Sequence, residues 1–260
     1  MIDIHCHILP HIDDGADDID QAVEMAMLAE REGISEIIAT PHYNTNLLNE
    51  FSKKVIEEKV IFFNEVLKEN NIRLRVHTGC EVFLSPEVPL LIRNGTISTL
   101  NSGRYLLLEL PLGLIPIYIE KVLYETELLC ITPIIAHPER TNEGIGRYEF
   151  LQQYIDKGTL LQVNAGSITG FYGERVARIA MELIGKRMVH FVATDAHDSK
   201  SRAPLFKEAY EIVTNRMGSE TAELLFNINP KKVLDDQEIV FDNTKDNNKS
   251  IFSKVFRLMK

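Results

Sequence analysis

The sequence predicts an α/β barrel. Short β-rich segments alternate with helical patterns, seven such segments recur, and 260 residues is close to the roughly 250 that a single barrel of this kind takes. The segments lie at 2–5, 36–40 (EIIAT), 74–80 (LRVHTGC), 105–110 (YLLLEL), 131–136 (ITPIIA), 160–164 (LLQVN) and 190–194 (HFVAT). Between the first two, Ile19, Val23, Ala26 or Met27, and Ala29 or Glu30 fall at helical spacing and end at Gly33, a helix stop. Residues 50–70 form the longest helical pattern, and further helices are expected near 116–129, 147–157, 174–187 and 203–217. Residues 1–240 are expected to form the barrel. A polar stretch, DNTKDNNKS at 242–250, then separates it from a tail, so that 241–260 stands apart.

Composition narrows the function. A hydrophobic content of 45% supports a sizeable core, and a net charge of −10 opposes a nucleic-acid surface, which needs Lys and Arg against phosphates. No apolar run reaches the roughly 18 residues of a membrane helix, and the N-terminus lacks a secretory signal pattern, so a cytoplasmic location is expected. Cys6, Cys80 and Cys130 are widely spaced, with neither a disulfide framework nor a zinc knuckle in their spacing. The tail KSIFSKVFRLMK from Lys249 carries four basic and no acidic residues among apolar ones. It reads either as a basic amphipathic helix contacting an anionic membrane from the inner face, or as a disordered end.

Chemistry concentrates at the ends of the strands. HCHILPHIDDG at 5–15 places His5 and His7 two residues apart on a strand, hence on one face, with Cys6 turned the other way. His42, Glu81, Glu109, His137, Asn164, and then Asp195 with His197, follow at the ends of the later segments. A parallel barrel brings these ends to one face, where its active site lies. Each residue alone has a plainer reading: core histidines for His5 and His7, a loop residue for His42, a surface carboxylate for Glu81, a helix cap for Asp195. Glu109 is the sharpest case, because it sits in a run expected to be buried on both faces, and a buried carboxylate needs an Arg partner such as Arg104 or Arg140, or a metal. His77 and His190 lie within or at the start of strands and read as structural. His11 is set aside in favour of Asp13 and Asp14. Nitrogen and carboxylate donors without thiolate suit Mn, Fe, Zn or Mg, and their number suits two or three clustered ions.

Together His5-x-His7, Asp13-Asp14-Gly15, His42, Glu81, His137 and Asp195-x-His197 resemble the motifs of the PHP (polymerase and histidinol phosphatase) metallohydrolases. More narrowly, IDIHCHILP, DDG, IIATPHYN, IIAHPER and ATDAH resemble the manganese-dependent protein-tyrosine phosphatases of bacterial capsule and exopolysaccharide loci, the CpsB/YwqE type. The resemblance covers residues 1 to about 235. It implies a distorted seven-stranded (β/α) barrel and three divalent ions, with Mn favoured. One ion would be held by His5, His7, Glu81 and Asp195, a second by Glu81, Glu109 and His137, and a third by Asp14, His42 and His197. Arg140 and Arg202 match positions that handle the substrate phosphate. The implied reaction is hydrolysis of phosphotyrosine by a metal-activated hydroxide, on the bacterial tyrosine kinase that regulates polysaccharide export. No cysteine begins a C-x5-R motif, in keeping with a route that forms no phosphocysteine. The alternative within the superfamily is a histidinol-phosphate or other small-molecule phosphomonoesterase. The loop after His42 departs from the family pattern.

Overall fold

The computed structural model describes residues 1–43, 51–113, 115–141 and 148–239. Among these, the strands are β1 (Ile2–Cys6), β2 (Glu36–Ala39), β3 (His42–Tyr43), β4 (Arg75–Thr78), β5 (Glu81–Phe83), β6 (Tyr105–Glu109), β7 (Thr132–Ala136), β8 (Leu160–Asn164) and β9 (Phe191–Ala193). The helices are α1 (Ile19–Arg31), α2 (Lys53–Glu69), α3 (Val88–Arg93), α4 (Ile119–Glu127), α5 (Tyr148–Ile155), α6 (Ala165–Thr169), α7 (Glu174–Gly185), α8 (Lys207–Met217), α9 (Ser219–Glu223) and α10 (Asn229–Leu234). All strand pairs are parallel, in the orders β1-β2-β4 and β3-β5-β6-β7-β8-β9.

Two expected strands are broken. The strand expected at 36–40 ends at Ala39 as β2 and is continued past Pro41, which has no N–H to give a ladder, by β3; the one expected at 74–80 ends at Thr78 as β4 and is continued past Gly79-Cys80 by β5. A Cβ on Gly79 would lie 2.7 Å from Ile38 Cγ2 and 3.2 Å from the Ala39 carbonyl, so the close pass of the two bent strands requires glycine. Each broken strand begins in the first sheet and ends in the second, which restores seven strand positions in sequential order. The ring closes where His7 N donates to Ala196 O (2.8 Å) and Asp195 N donates to His5 O (2.8 Å). The result is a distorted seven-stranded barrel.

The period-two alternation divides the apolar residues between two cores. Ile38, Leu107, Ile134, Leu160 and Phe191 pack inside the barrel with Val233 and Leu234 of α10. Ile37, Leu106, Leu108, Ile135, Leu161 and Val192 face outward against the helices, among them Met25, Phe63 and Leu183. In β1 the register shifts between Asp3 and Cys6, three steps on β1 facing two on β2. That bulge lets Ile4 join the interior while His5 and His7 also turn inward.

The short α3, α6, α9 and α10 go beyond the predicted elements. α10 caps the lower end of the barrel, where Asn101 Nδ2 donates to Leu234 O (2.8 Å), Arg104 N to Asp236 Oδ1 (2.6 Å) and Tyr105 OH to Gln237 O (2.6 Å). Among the described residues no helix is long and apolar enough to cross a membrane. The tail 241–260 and the loop 44–50 lie outside the described residues.

Candidate metal centre

The C-terminal strand ends converge as the barrel requires. Donor atoms of His5, His7, Glu81 and Asp195 lie within 4.8 Å of one another, as do those of His7, Asp14, His42 and His197, and those of His42, Glu81 and Glu109. His137 joins through the second oxygen of Glu81, its Nε2 lying 3.0 Å from Oε1. All nine expected ligand positions therefore meet in one cluster. His42 stands with Glu81 and Glu109 (3.1 and 3.8 Å) as well as with Asp14 (3.4 Å), so it borders two groups.

Local backbone explains this aim. β7 and β9 both end in left-handed residues, His137 (φ 32°) and Asp195 (φ 53°), which turn the chain abruptly at the site. Such φ values in residues with a Cβ are costly, and they recur where a site demands them. A Cβ on Gly15 would sit 2.1 Å from the His7 carbonyl, so the Asp-Asp-Gly turn closes over His7 only with glycine.

The two lead histidines are held from behind. His5 Nδ1 faces Gln162 Oε1 at 3.1 Å, and His7 Nδ1 faces Asp13 Oδ2 at 2.6 Å. Each Nδ1 is engaged outward, which aims each Nε2 inward as a ligand atom for a cation that would displace any proton there, and these two nitrogens are 3.2 Å apart. Glu81 Oε2, fully buried, lies 3.2 Å from His5 Nε2 and 3.1 Å from His42 Nδ1 but receives no hydrogen bond of proper geometry. The buried His197 Nε2 also has none. Converging ring nitrogens and an unsatisfied buried carboxylate oxygen are the donor chemistry of a cation site.

Ionisation follows the same logic. Burial alone would push the His7 imidazole down, but the Asp13 and Glu81 carboxylates reverse this and hold it well above its ordinary value. Burial likewise opposes the charge on Glu81, and the surrounding imidazoles, His5 first, outweigh it and hold the carboxyl well below its usual range. His197 is lowered to about 4 by burial and by His7, which leaves it neutral and ready to donate a lone pair near pH 7. Glu109 is raised by burial and by Glu81. Neither arginine considered as its partner takes that role: Arg104 pairs with Asp236 and Arg140 with Asp195.

At the rim, Arg140 NH1 donates to Asp195 Oδ2 (2.7 Å) and Arg202 NH2 to Asp195 Oδ1 (3.1 Å). Sequence reading named Asp13 and Asn164 without their supporting roles and missed Asp3 and Gln162. Asp13 holds both His7 and the His42 amide (2.8 Å), and Asp3 accepts from Thr194 and from the His5 amide. On β8, Gln162 Nε2 donates to Asn164 Oδ1 (2.8 Å) and Asn164 Nδ2 to Asp195 Oδ2 (2.7 Å), so two buried neutral amides join His5 to Asp195. Period two was the available signal, since Leu160, Gln162 and Asn164 share one face. His77 pairs with Glu36 (2.8 Å) and His190 Nδ1 accepts from Leu161 N (3.1 Å), both away from the cluster.

A parallel barrel with imidazoles and carboxylates gathered over its C-terminal strand ends has the architecture of a metal-dependent hydrolase. The chain belongs to the capsular polysaccharide synthesis family CpsB/CapC, whose sequence model matches residues 1–235. It is 36% identical to the tyrosine-protein phosphatase YwqE of Bacillus subtilis over 86% of this chain and 88% of that one. It is 33% identical to the putative tyrosine-protein phosphatase CapC of Staphylococcus aureus over 81% and 82%. Among crystal structures of YwqE from Bacillus subtilis and CpsB from Streptococcus pneumoniae, described as metal-dependent tyrosine phosphatases, one chain superposes with a TM-score of 0.89 at 36% identity. That superposition covers 92% of this chain and 96% of the other.

Proposed function

We propose that this protein is a metal-dependent protein-tyrosine phosphatase, and that its protein substrate is the bacterial tyrosine kinase of a capsule or exopolysaccharide system. The observation that carries the reading is the unsatisfied Glu81 oxygen among converging imidazoles, with two guanidinium groups held on Asp195 of the same donor group. On this reading His5, His7, Glu81 and Asp195 hold one divalent ion, Glu81, Glu109 and His137 a second, and Asp14, His42 and His197 a third, with Mn as the preferred metal. Bound there, the cations would supply positive charge against the phosphoryl oxygens and acidify water.

The chain's own residues do the rest. Arg140 and Arg202 orient the phosphate by paired donors and neutralise charge as it spreads over the equatorial oxygens. Asp13, Gln162 and Asn164 keep the ligand side chains in one orientation, so that little reorganisation is needed during the reaction. A phenol leaves with a pKa near 10, and no general acid is assigned. The reaction takes place in the cytoplasm, and hydrolysis is the work of residues 1–240 without need of 241–260. A 1–242 truncation with undiminished turnover supports that last point, and liposome pelleting of both forms reads any membrane contact of the tail.

The central test compares initial rates on a phosphotyrosine peptide and on histidinol phosphate, using chelator-stripped protein with Mn restored, beside a His5→Ala plus His7→Ala variant. Peptide turnover that needs Mn and vanishes in the variant supports the reading. Turnover of histidinol phosphate alone reassigns the protein to small-molecule phosphate esters, and Mn binding without turnover of either leaves a non-catalytic protein.

A further inference from the structure

α6 ends at Gly170 (φ 87°), and the chain runs Gly170-Phe171-Tyr172-Gly173 before α7, with Gly173 again at positive φ (91°). Phe171 N donates to Gly166 O (2.9 Å) and Gly173 N to Gly170 O (2.9 Å), which pins this turn at both ends. Two consecutive aromatic rings project from it, edge to face, with centroids 4.9 Å apart and planes at 85°. Tyr172 is half-buried, and its ring lies against the Arg140 guanidinium, 4.3 Å from Cζ to the centroid. Arg202 holds the other oxygen of the Asp195 carboxylate that Arg140 holds. Tyr172 thus touches one arginine of a pair that a single carboxylate joins. Phe171, 56% exposed, stands beside it with its ring open to solvent. A Cβ on Gly166 would meet Tyr172 Cε2 at 3.2 Å, so the turn packs closely over the start of α6.

We infer that Tyr172 is the positioning residue that sets Arg140 to receive a phosphate monoester, and that Phe171 is the ring against which an aryl phosphate packs. The inference rests on the phosphatase reading above and names the part of the chain that distinguishes aryl from alkyl esters. An arginine side chain loses much rotamer freedom on binding, and a flat ring against the guanidinium removes that freedom beforehand. Asp195 also holds both guanidinium groups, but a carboxylate shared with a cation holds them less firmly, and Tyr172 then remains as the fixed neighbour of Arg140. An edge-to-face site beside a phosphate clamp admits a substrate ring at the 4.5–7 Å centroid spacing that aromatic pairs adopt.

The experiment uses full-length protein loaded with Mn and reads three quantities. These are inorganic phosphate binding by calorimetry, KM and kcat on a phosphotyrosine peptide and a phosphoserine peptide, and bound Mn by atomic absorption. Tyr172→Leu should weaken phosphate binding and raise KM by about tenfold, with bound Mn unchanged. Tyr172→Phe, which keeps the ring over Arg140, should bind phosphate as wild type does, and Tyr172→Val serves as the readout if the leucine variant misfolds. Phe171→Leu should raise KM for the phosphotyrosine peptide by about fivefold and leave inorganic phosphate binding unchanged, because phosphate carries no ring. Wild-type phosphate binding in a variant that removes the ring overturns the inference, as does loss of Mn in parallel with phosphate. If wild type turns over no phosphotyrosine while Tyr172→Leu still loses phosphate, the phosphatase reading fails and the role of Tyr172 stands.

Discussion

The lower and upper halves of the barrel interior are lined by the same strands and built on opposite principles. On β6 the inward residues are Tyr105, Leu107 and Glu109; on β8 they are Leu160, Gln162 and Asn164. The lower positions bury apolar surface against α10, which stabilises the fold directly. The upper positions bury carboxylates, imidazoles and amides that cost desolvation and hold one another by charge. A single step of two residues along a strand therefore crosses from residues kept for stability to residues kept for chemistry. The two halves should respond differently to substitution.

The largest separation is expected at Glu81. Glu81→Gln removes the carboxylate common to two donor groups and should lower turnover by about a thousandfold or more. Added Mn should raise the Tm of wild type through preferential binding to the folded state and fail to raise that of the variant. A variant that gains stability from Mn as wild type does would break the comparison at its upper end.

Leu107→Ala tests the other half, one inward position below Glu109. Leu107 is fully buried, and its truncation should cost about 2–5 kcal/mol in urea denaturation. The folded variant should keep kcat/KM within about threefold of wild type when Mn is saturating. Loss of activity without loss of stability would show that the interior is not divided as described.

At the periphery of the lower core, burial holds the His190 imidazole down at about 3, against an ordinary value near 6.5. The folded chain keeps it neutral while the unfolded chain takes up a proton below about pH 6.5, so its contribution is complete above that pH. That contribution is lost as pH falls toward 3, by up to about 4 kcal/mol. His190→Asn keeps an acceptor near Leu161 N, and should reduce the slope of stability against pH by about one proton between about pH 6 and 4. An unaltered slope would remove His190 from the account of acid unfolding.

The smallest effect sharpens the boundary itself. Gln162→Leu removes the acceptor that orients His5 while keeping an apolar volume at the same inward position. Mn affinity should fall by about 10–100-fold by titration, with little change in the metal-free Tm. Unchanged affinity would mean that the β8 amides serve packing alone.

Much of this division was legible in the sequence. Glu109 ending an apolar run, His5 and His7 two apart and Asp195 and His197 two apart each announce an inward polar residue above a buried strand, because strand alternation is a local rule. The contacts that support them were not legible. Asp13 meets His7 through a turn closed on Gly15, and Gln162 meets His5 across 157 residues, contacts that no periodicity specifies.

By itself the sequence determined the parallel βα order, the strand ends that carry the ligand-type residues and the family of the chain, since these follow from local patterning and motif spacing. Only the tertiary structure decided how the chain bends at Pro41 and Gly79, which carboxylate sits at the centre, and that Tyr172 lies against Arg140. Those outcomes depend on close approach between segments distant in the chain, and close packing is set by the whole barrel at once.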